Sequence, residues 1–191
     1  MIKKYGSFER SAIKGRTVLL GLTGSIAIYK SCELVRRLKD EGGNVFCLMT
    51  VGAQEFVSAL TFGALSRNPV ATDIWDKELW KAAHLESAEK ADLLIIAPAS
   101  ANCMSRLAAG MTDDIVTATA CATRAPVLIA PAMHEGMWLH PATQANVKKL
   151  KSYGYRFEGP ERGPLSQGQS GWGRFSEPSS ILAAAKKILS S

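Results

Sequence analysis

VLIAPAMHEGMWLHP (Val127–Pro141) is an apolar run that stops abruptly in Pro, Met, His, Met, Trp and His. Loops normally draw on Gly, Asn, Asp and Ser, so a buried strand closing in large, soft and aromatic side chains needs a reason. Ala-Pro-Ala also closes an earlier run, LLIIAPASANC (Leu93–Cys103). The earlier run is uninterrupted, as in a strand covered on both faces. Two such strands with the same ending point to two loops delivered to one place.

Working outward, strand and helix patterns alternate. RTVLLGLTG (Arg16–Gly24) is an apolar strand stopped at a glycine, and the helical spacing of Ile26, Tyr29, Val35 and Leu38 follows from Ser25 to Gly42–Gly43. NVFCLMT reads as a second strand, AQEFVSALTFGALS as one helix, PVATDIW as a third strand and ELWKAAHLESAEKA as mainly helix. MSRLAAGMTDDIVTATACATR gives one or two helices. PATQANVKKLKSYG opens on a proline and ends at a glycine, YRFEGP is a last short strand, and SSILAAAKKILSS is a closing helix. Alternation of this kind means right-handed βαβ units and a parallel sheet between helix layers. No linker divides the chain, so residues 1–191 read as one domain, with an arm over 1–15. The Gly- and Pro-rich stretch 159–178 reads as a long functional loop without regular structure.

The chain has 191 residues, is 47% hydrophobic and 21% charged, and suits one soluble globular domain. No apolar run approaches the roughly 20 residues of a membrane span, and the basic N-terminus lacks a signal-peptide pattern. The cytoplasm is therefore the expected compartment, and no membrane partner is expected. Cys32, Cys47, Cys103 and Cys121 form no C-x-x-C pair and suit reduced, buried thiols. The net charge of +6 is spread over helix faces beside acids, with no aromatic-interleaved basic stretch. Nucleic acid is thus not the expected partner, whereas an acidic small ligand suits a basic protein. HEGMWLH lacks the H-E-x-x-H zinc spacing because position 138 is Trp, so no metal site is expected.

In open α/β sheets, ligands bind beyond the carboxyl ends of the strands. After the first strand, Gly24–Ser25 is either a plain capped turn or a phosphate site at a helix start. The fingerprints G-x-G-x-x-G and G-K-[ST] are both absent. After the second strand stands Thr50, where an NAD enzyme would be expected to carry an acid for the ribose diol. A hydroxyl can donate to a phosphate that a carboxylate would repel, which favours a ligand with one terminal phosphate. After the Ala-Pro-Ala strands, Ser100 and Asn102 are capping types and also phosphate or heterocycle partners. Ala101 and Ala132 are small enough for a flat ring to approach the backbone. His84, in a polar helix, reads as a surface histidine or as a base.

Taken together, GLTGSIAIYK, His84, APASAN, Asp113–Asp114 and APAMHEGMWLHPATQ resemble, in order from about Arg16 to Pro178, the homo-oligomeric flavin-containing cysteine decarboxylases. The nearest branch is the one that acts on phosphopantothenoylcysteine in coenzyme A synthesis. The resemblance implies a three-layer, Rossmann-like α/β flavoprotein fold with a parallel six-stranded sheet in the order 3-2-1-4-5-6. It implies FMN as cofactor, held by Gly24, Ser25, Ile26 and Thr50, with Val51 and Gly52 beside them. Ser100, Ala101, Asn102 and Cys103 would form a second FMN loop, and Ala132 would approach the ring. It also implies a homotrimer, or a dodecamer of four trimers, and a separate ligase for the preceding step.

The implied reaction has a physical logic. An ordinary cysteine carboxylate would leave an unstabilised carbanion on losing CO₂. Once CH₂–SH is oxidised to a thioaldehyde, the carboxylate lies β to a C=S electron sink and CO₂ departs to give an enethiolate. Return of the two electrons makes the overall change redox-neutral; orientation and proton handling fall to the protein. His84 matches the family's acid–base histidine. His134 and Met137 would meet the substrate, with His134 standing where the family carries Asn; a cationic or neutral imidazole can bond the carboxylate there, an imidazolium through a charge-assisted bond. Gln167 stands in the flap where the coenzyme A branch carries Cys, so the final reduction is open. The alternative functions are an FMN-binding or electron-transfer flavoprotein on the same scaffold, and a relative of the flavin prenyltransferases.

Overall fold

The computed structural model describes residues 11–75, 89, 91–165, 168 and 170–191. Six strands, β1 (Thr17–Leu22), β2 (Asn44–Met49), β3 (Val70–Ala71), β4 (Leu93–Ala99), β5 (Val127–Pro131) and β6 (Arg156–Phe157), form one sheet in the order β3-β2-β1-β4-β5-β6. Every neighbouring pair is parallel, with Val18 opposite Val45 on one side and Leu93 on the other. This is the expected order. The order in which strands are added reverses between β1 and β4, so the carboxyl ends of these strands open a crevice.

The helices are α1 (Ile28–Asp40), α2 (Val51–Gln54), α3 (Ala59–Ser66), α4 (Ala101–Ala109), α5 (Ile115–Ala122), α6 (Glu135–Trp138), α7 (Pro141–Ser152) and α8 (Pro178–Leu189). Alternation along the central strands sorts the core into two layers. Val18, Leu20 and Ile95 pack with Leu34 and Leu38 of α1, Phe62 of α3 and Ile181 of α8. Leu19, Leu94 and Ile96 pack with Met104 and Leu107 of α4, Val116 of α5 and Leu150 of α7. All seven residues of β4 are buried, which is why its sequence does not alternate. Burying one such Leu or Ile contributes roughly 1.5–3 kcal/mol.

Four expectations are corrected. The first helix begins at Ile28, not Ser25, because Thr23–Ala27 forms a tight loop in which the Ile28 N–H donates to the Ser25 carbonyl at 3.0 Å. AQEFVSALTFGALS is two helices, because the Ser58 hydroxyl accepts from Leu60 N–H and starts a new one. Stretch 159–178 is not an irregular loop: β7 (Glu161–Pro164) and β8 (Ser170–Arg174) pair antiparallel as a separate hairpin. Of the four free cysteines only Cys47 and Cys103 are buried; Cys32 is half-buried and Cys121 exposed. The helical expectation over ELWKAAHLESAEKA lies outside the described residues, save its Glu89, which is helical. Among the described residues no helix is long and apolar enough to cross a membrane.

Candidate functional site

A cavity of about 610 Å³ lies at the carboxyl edge of β1, β4 and β5. Three loops and the hairpin build it. The β1 loop contributes Gly24, Ser25 and Ile26, followed by Tyr29 and Lys30 of α1. The β4 loop contributes Ser100 and Ala101, and the β5 loop Ala132, Met133, His134 and Met137. The hairpin closes one side with Pro164, Leu165, Gly173, Arg174 and Phe175. The two Ala-Pro-Ala strands therefore do deliver their loops to one cavity.

The β1 loop is shaped for an anion. Among the described residues, the amides of Gly24 and Ile26 donate to no protein acceptor, while Ser25 N–H donates to the Thr23 carbonyl at 2.8 Å. Two free N–H groups beside a serine hydroxyl are the donors with which such a loop can hold a phosphate. Gly24 packs against the loop after β2: a Cβ there would lie 3.2 Å from the Gly52 carbonyl carbon and oxygen. Thr50 caps α2, accepting from Ala53 N–H at 3.2 Å, and its own hydroxyl proton remains for another acceptor. Thr50, Val51 and Gly52 stand behind the cradle and do not line the cavity wall.

The β4 loop is tied to β1 by a buried hydroxyl. Thr23 Oγ1 donates to the Pro98 carbonyl at 2.8 Å and accepts from Ser100 N–H at 2.9 Å. Ser100 caps α4, its hydroxyl accepting from Cys103 N–H at 3.2 Å. The amides of Ala101 and Asn102 lie in the first turn and have no intrahelical partner. Asn102 is exposed, its side-chain oxygen accepting from Arg106 Nε at 3.4 Å. The Cys103 thiol points into the core, and burial pushes its pKa far upward, so it is an inert packing group.

The β5 loop is held differently. His134 caps α6 with Nδ1 accepting from Gly136 N–H at 3.1 Å. That lone pair is available only when Nδ1 carries no proton. With Nδ1 engaged in the cap, the other ring nitrogen, Nε2, is left for another partner, and the side chain lines the cavity. Glu135 reaches the hairpin and accepts from Trp172 N–H at 2.8 Å. Met133 N–H donates to the Gly173 carbonyl at 3.0 Å. The contact is bare-backbone: a Cβ on Gly171 would sit 2.7 Å from the Glu135 carboxyl group, and one on Gly173 2.2 Å from the Met133 oxygen. Gly173 also has φ +113°, a conformation that favours glycine.

His84 and Gln167 lie outside the described residues. Sequence reasoning missed Lys30, Arg174 and Phe56, which also line the cavity. Lys30 and Arg174 looked like ordinary surface charge. Their shared partner, Glu177, is three residues from Arg174 but 147 from Lys30, so nothing local joined the two.

A model described as Flavoprotein matches residues 7–190. The coenzyme A biosynthesis bifunctional protein CoaBC of Bacillus subtilis is 45% identical over 176 residues, 92% of this chain and 43% of that protein. The namesake from Mycolicibacterium smegmatis is 42% identical over 174 residues, 91% of this chain and 42% of that protein. The chain thus spans less than half the length of these curated relatives. Among solved structures, a PPC decarboxylase mutant complexed with pantothenoylaminoethenethiol superposes with a TM-score of 0.84 at 28% identity, covering 92% of this chain and 99% of that one. The FMN-dependent cysteine decarboxylase SpaF superposes with a TM-score of 0.81 at 28% identity, covering 94% of this chain and 99% of that one. With its sheet order, its carboxyl-edge cavity and a family match over nearly its whole length, this chain belongs to the Flavoprotein family, with a flavin as its cofactor.

Proposed function

We propose that this chain binds FMN and decarboxylates a cysteine-derived carboxylate, 4'-phosphopantothenoylcysteine, to give 4'-phosphopantetheine in coenzyme A synthesis. The observation that carries the reading is the cavity itself. It combines a phosphate cradle at Gly24–Ile26, a wall of Ser100, Ala101 and Ala132 small enough for a flat ring, and the His134 imidazole with Nε2 free for a partner. The coenzyme A relatives and the PPC decarboxylase complex support the same substrate.

When bound, the flavin supplies two-electron oxidation of the cysteine CH₂–SH and its reversal. The chain's own residues do the rest. The Gly24 and Ile26 amides and the Ser25 hydroxyl hold the single phosphate, and Thr50, Val51 and Gly52 brace that loop from behind. Asn102 and Cys103 keep the α4 start in place, Cys103 through core packing and its capped amide. His84 is the proton-handling group of this reading. His134 orients the substrate carboxylate through Nε2–H, Met137 covers it, and Gln167 belongs to the flap.

The exposed side chains of Ile26, Tyr29, Val51, Phe56 and Leu60 leave apolar surface on the β1 and β2 loops and the nearby helices. A second copy covering it would give the homotrimer, or a dodecamer of trimers, that this reading includes. A ligase acting in the preceding step supplies the substrate.

The test is anaerobic incubation of the yellow protein with phosphopantothenoylcysteine, followed by mass analysis. Loss of CO₂ alone is the full redox-neutral decarboxylation. Loss of CO₂ and two hydrogens means that turnover stops at the enethiol, as Gln167 in place of Cys would allow. Unchanged substrate with FMN still bound sinks the decarboxylase reading and leaves an FMN-binding or electron-transfer protein.

A further inference from the structure

The cavity carries two cationic side chains, Lys30 and Arg174, and among its described lining residues no carboxylate. They reach it from opposite ends of the chain. Lys30 rises from the first turn of α1, and Arg174 ends β8 with its stem lying across bare Gly163 of the partner strand. Glu177 stands between them: its Oε1 accepts from Lys30 Nζ at 3.0 Å and from Arg174 at 2.5 Å. Their hydrogen bonds, Lys30 foremost, hold the Glu177 carboxyl below its ordinary pKa. Glu161, the next acid, accepts from the Glu177 amide at 3.4 Å and does not line the cavity. One carboxylate oxygen shared by two cations leaves most of their donors unused: two on the ammonium and several on the guanidinium.

We propose that Lys30 and Arg174, held apart by Glu177, form a second phosphate subsite of the cavity, separate from the Gly24–Ile26 amides, and that it takes the phosphoryl end of the substrate. The assignment rests on the substrate named above. That molecule carries two anions with opposite fates. The carboxylate loses its charge as CO₂ departs, so a pair of cations gripping it would stabilise the ground state more than the transition state and slow the reaction. The single His134 imidazole that the proposed function places at the carboxylate is a far weaker grip than a pair of fixed cations. The phosphate keeps its charge from substrate to product, so cations there add binding in every state without opposing the chemistry. The flavin's phosphate has its own cradle in the uncharged β1 loop. The subsite would therefore decide whether the phosphorylated or the unphosphorylated substrate is used.

The experiment avoids turnover. Binding of 4'-phosphopantetheine and of pantetheine to the FMN-loaded protein is measured by calorimetry for the wild type, Lys30→Met and Arg174→Met. The wild type should prefer the phosphorylated compound by about 10-fold or more, the scale of one charge-assisted bond. Each variant should bring the preference close to unity with pantetheine affinity unchanged, and Lys30→Arg should restore it. If a methionine variant unfolds, Lys30→Gln and Arg174→Gln replace it. Full preference retained in both variants overturns the subsite. So does a loss of preference for FMN over riboflavin in the deflavinated variants, which would assign the cations to the flavin. A wild type that binds both compounds equally overturns the subsite alone; one that binds neither overturns the substrate reading and this assignment with it.

Discussion

Two strands with the same Ala-Pro-Ala ending meet the cavity in opposite ways. After β4, the turn is tied into the core: Ser100 caps a helix of 9 residues, and its amide and the Pro98 carbonyl are both bonded to buried Thr23. After β5, Ala132 N–H still donates to the Ala99 carbonyl, but beyond it the cap is an exposed histidine on a helix of 4 residues, and Met133 and Glu135 are tied to a hairpin outside the main sheet. One wall is tied by a buried hydroxyl, and the other leans further on a clip from outside the sheet. The difference teaches that a shared sequence signal marks where a loop is delivered, whereas the partners of its polar atoms decide how firmly it is held.

The largest expected effect lies on the core side. Thr23→Val keeps the shape but removes both hydrogen bonds, stranding a buried carbonyl and a part-buried amide. At about 1–3 kcal/mol for each stranded group, the unfolding free energy should fall by roughly 2–6 kcal/mol. Urea denaturation with unchanged midpoint would break the comparison. Next comes Gly173→Ala, whose methyl would collide with the Met133 carbonyl. The hairpin should lift from the β5 loop, lowering kcat/KM by about 100-fold, the scale of an ångström-sized misplacement. The same variant should melt within a few degrees of the wild type, because the sheet is untouched.

A smaller effect sharpens the picture. Glu135→Gln retains an acceptor for Trp172 N–H but loses the charge that strengthens it. Such bonds are about twice as strong as neutral ones, so hairpin docking should weaken by roughly 1 kcal/mol. Faster proteolysis within 161–174 is the readout, and an unchanged cleavage rate would mean that the glycine contacts alone hold the hairpin. The smallest effect on folding is expected for His134→Asn. Asparagine caps helices well, so stability should stay within about 0.5 kcal/mol. A larger drop would show that the imidazole carries packing that its exposed position does not suggest.

The sheet was legible because alternating apolar strands and helical spacing leave few topologies, and the ordered motifs between about Arg16 and Pro178 implied its strand order through family resemblance. The β1, β4 and β5 loops were legible for the same reason: ligand sites fall at strand ends. The hairpin was not. Gly171 and Gly173 look like loop residues because what they touch, Glu135 and Met133, lies in a distant loop. The late start of α1 was hidden because Ser25 has capping chemistry yet bonds within its own turn. The split at Ser58 did carry a local sign, a capping serine followed by Ala-Leu, but apolar spacing across it outweighed the serine.

The clip between hairpin and β5 loop uses main-chain groups on the hairpin's side: the Trp172 amide, the Gly173 carbonyl and two bare α-carbons. The Trp172 side chain takes no part in it and is 44% exposed. Position 172 is thus open to any residue that tolerates a strand, while 171 and 173 admit almost nothing but glycine. Mutational drift, or a laboratory library, can repaint the outer face of this hairpin without unfastening it, and new preferences can be sampled there at little risk to the barrier that closes the cavity.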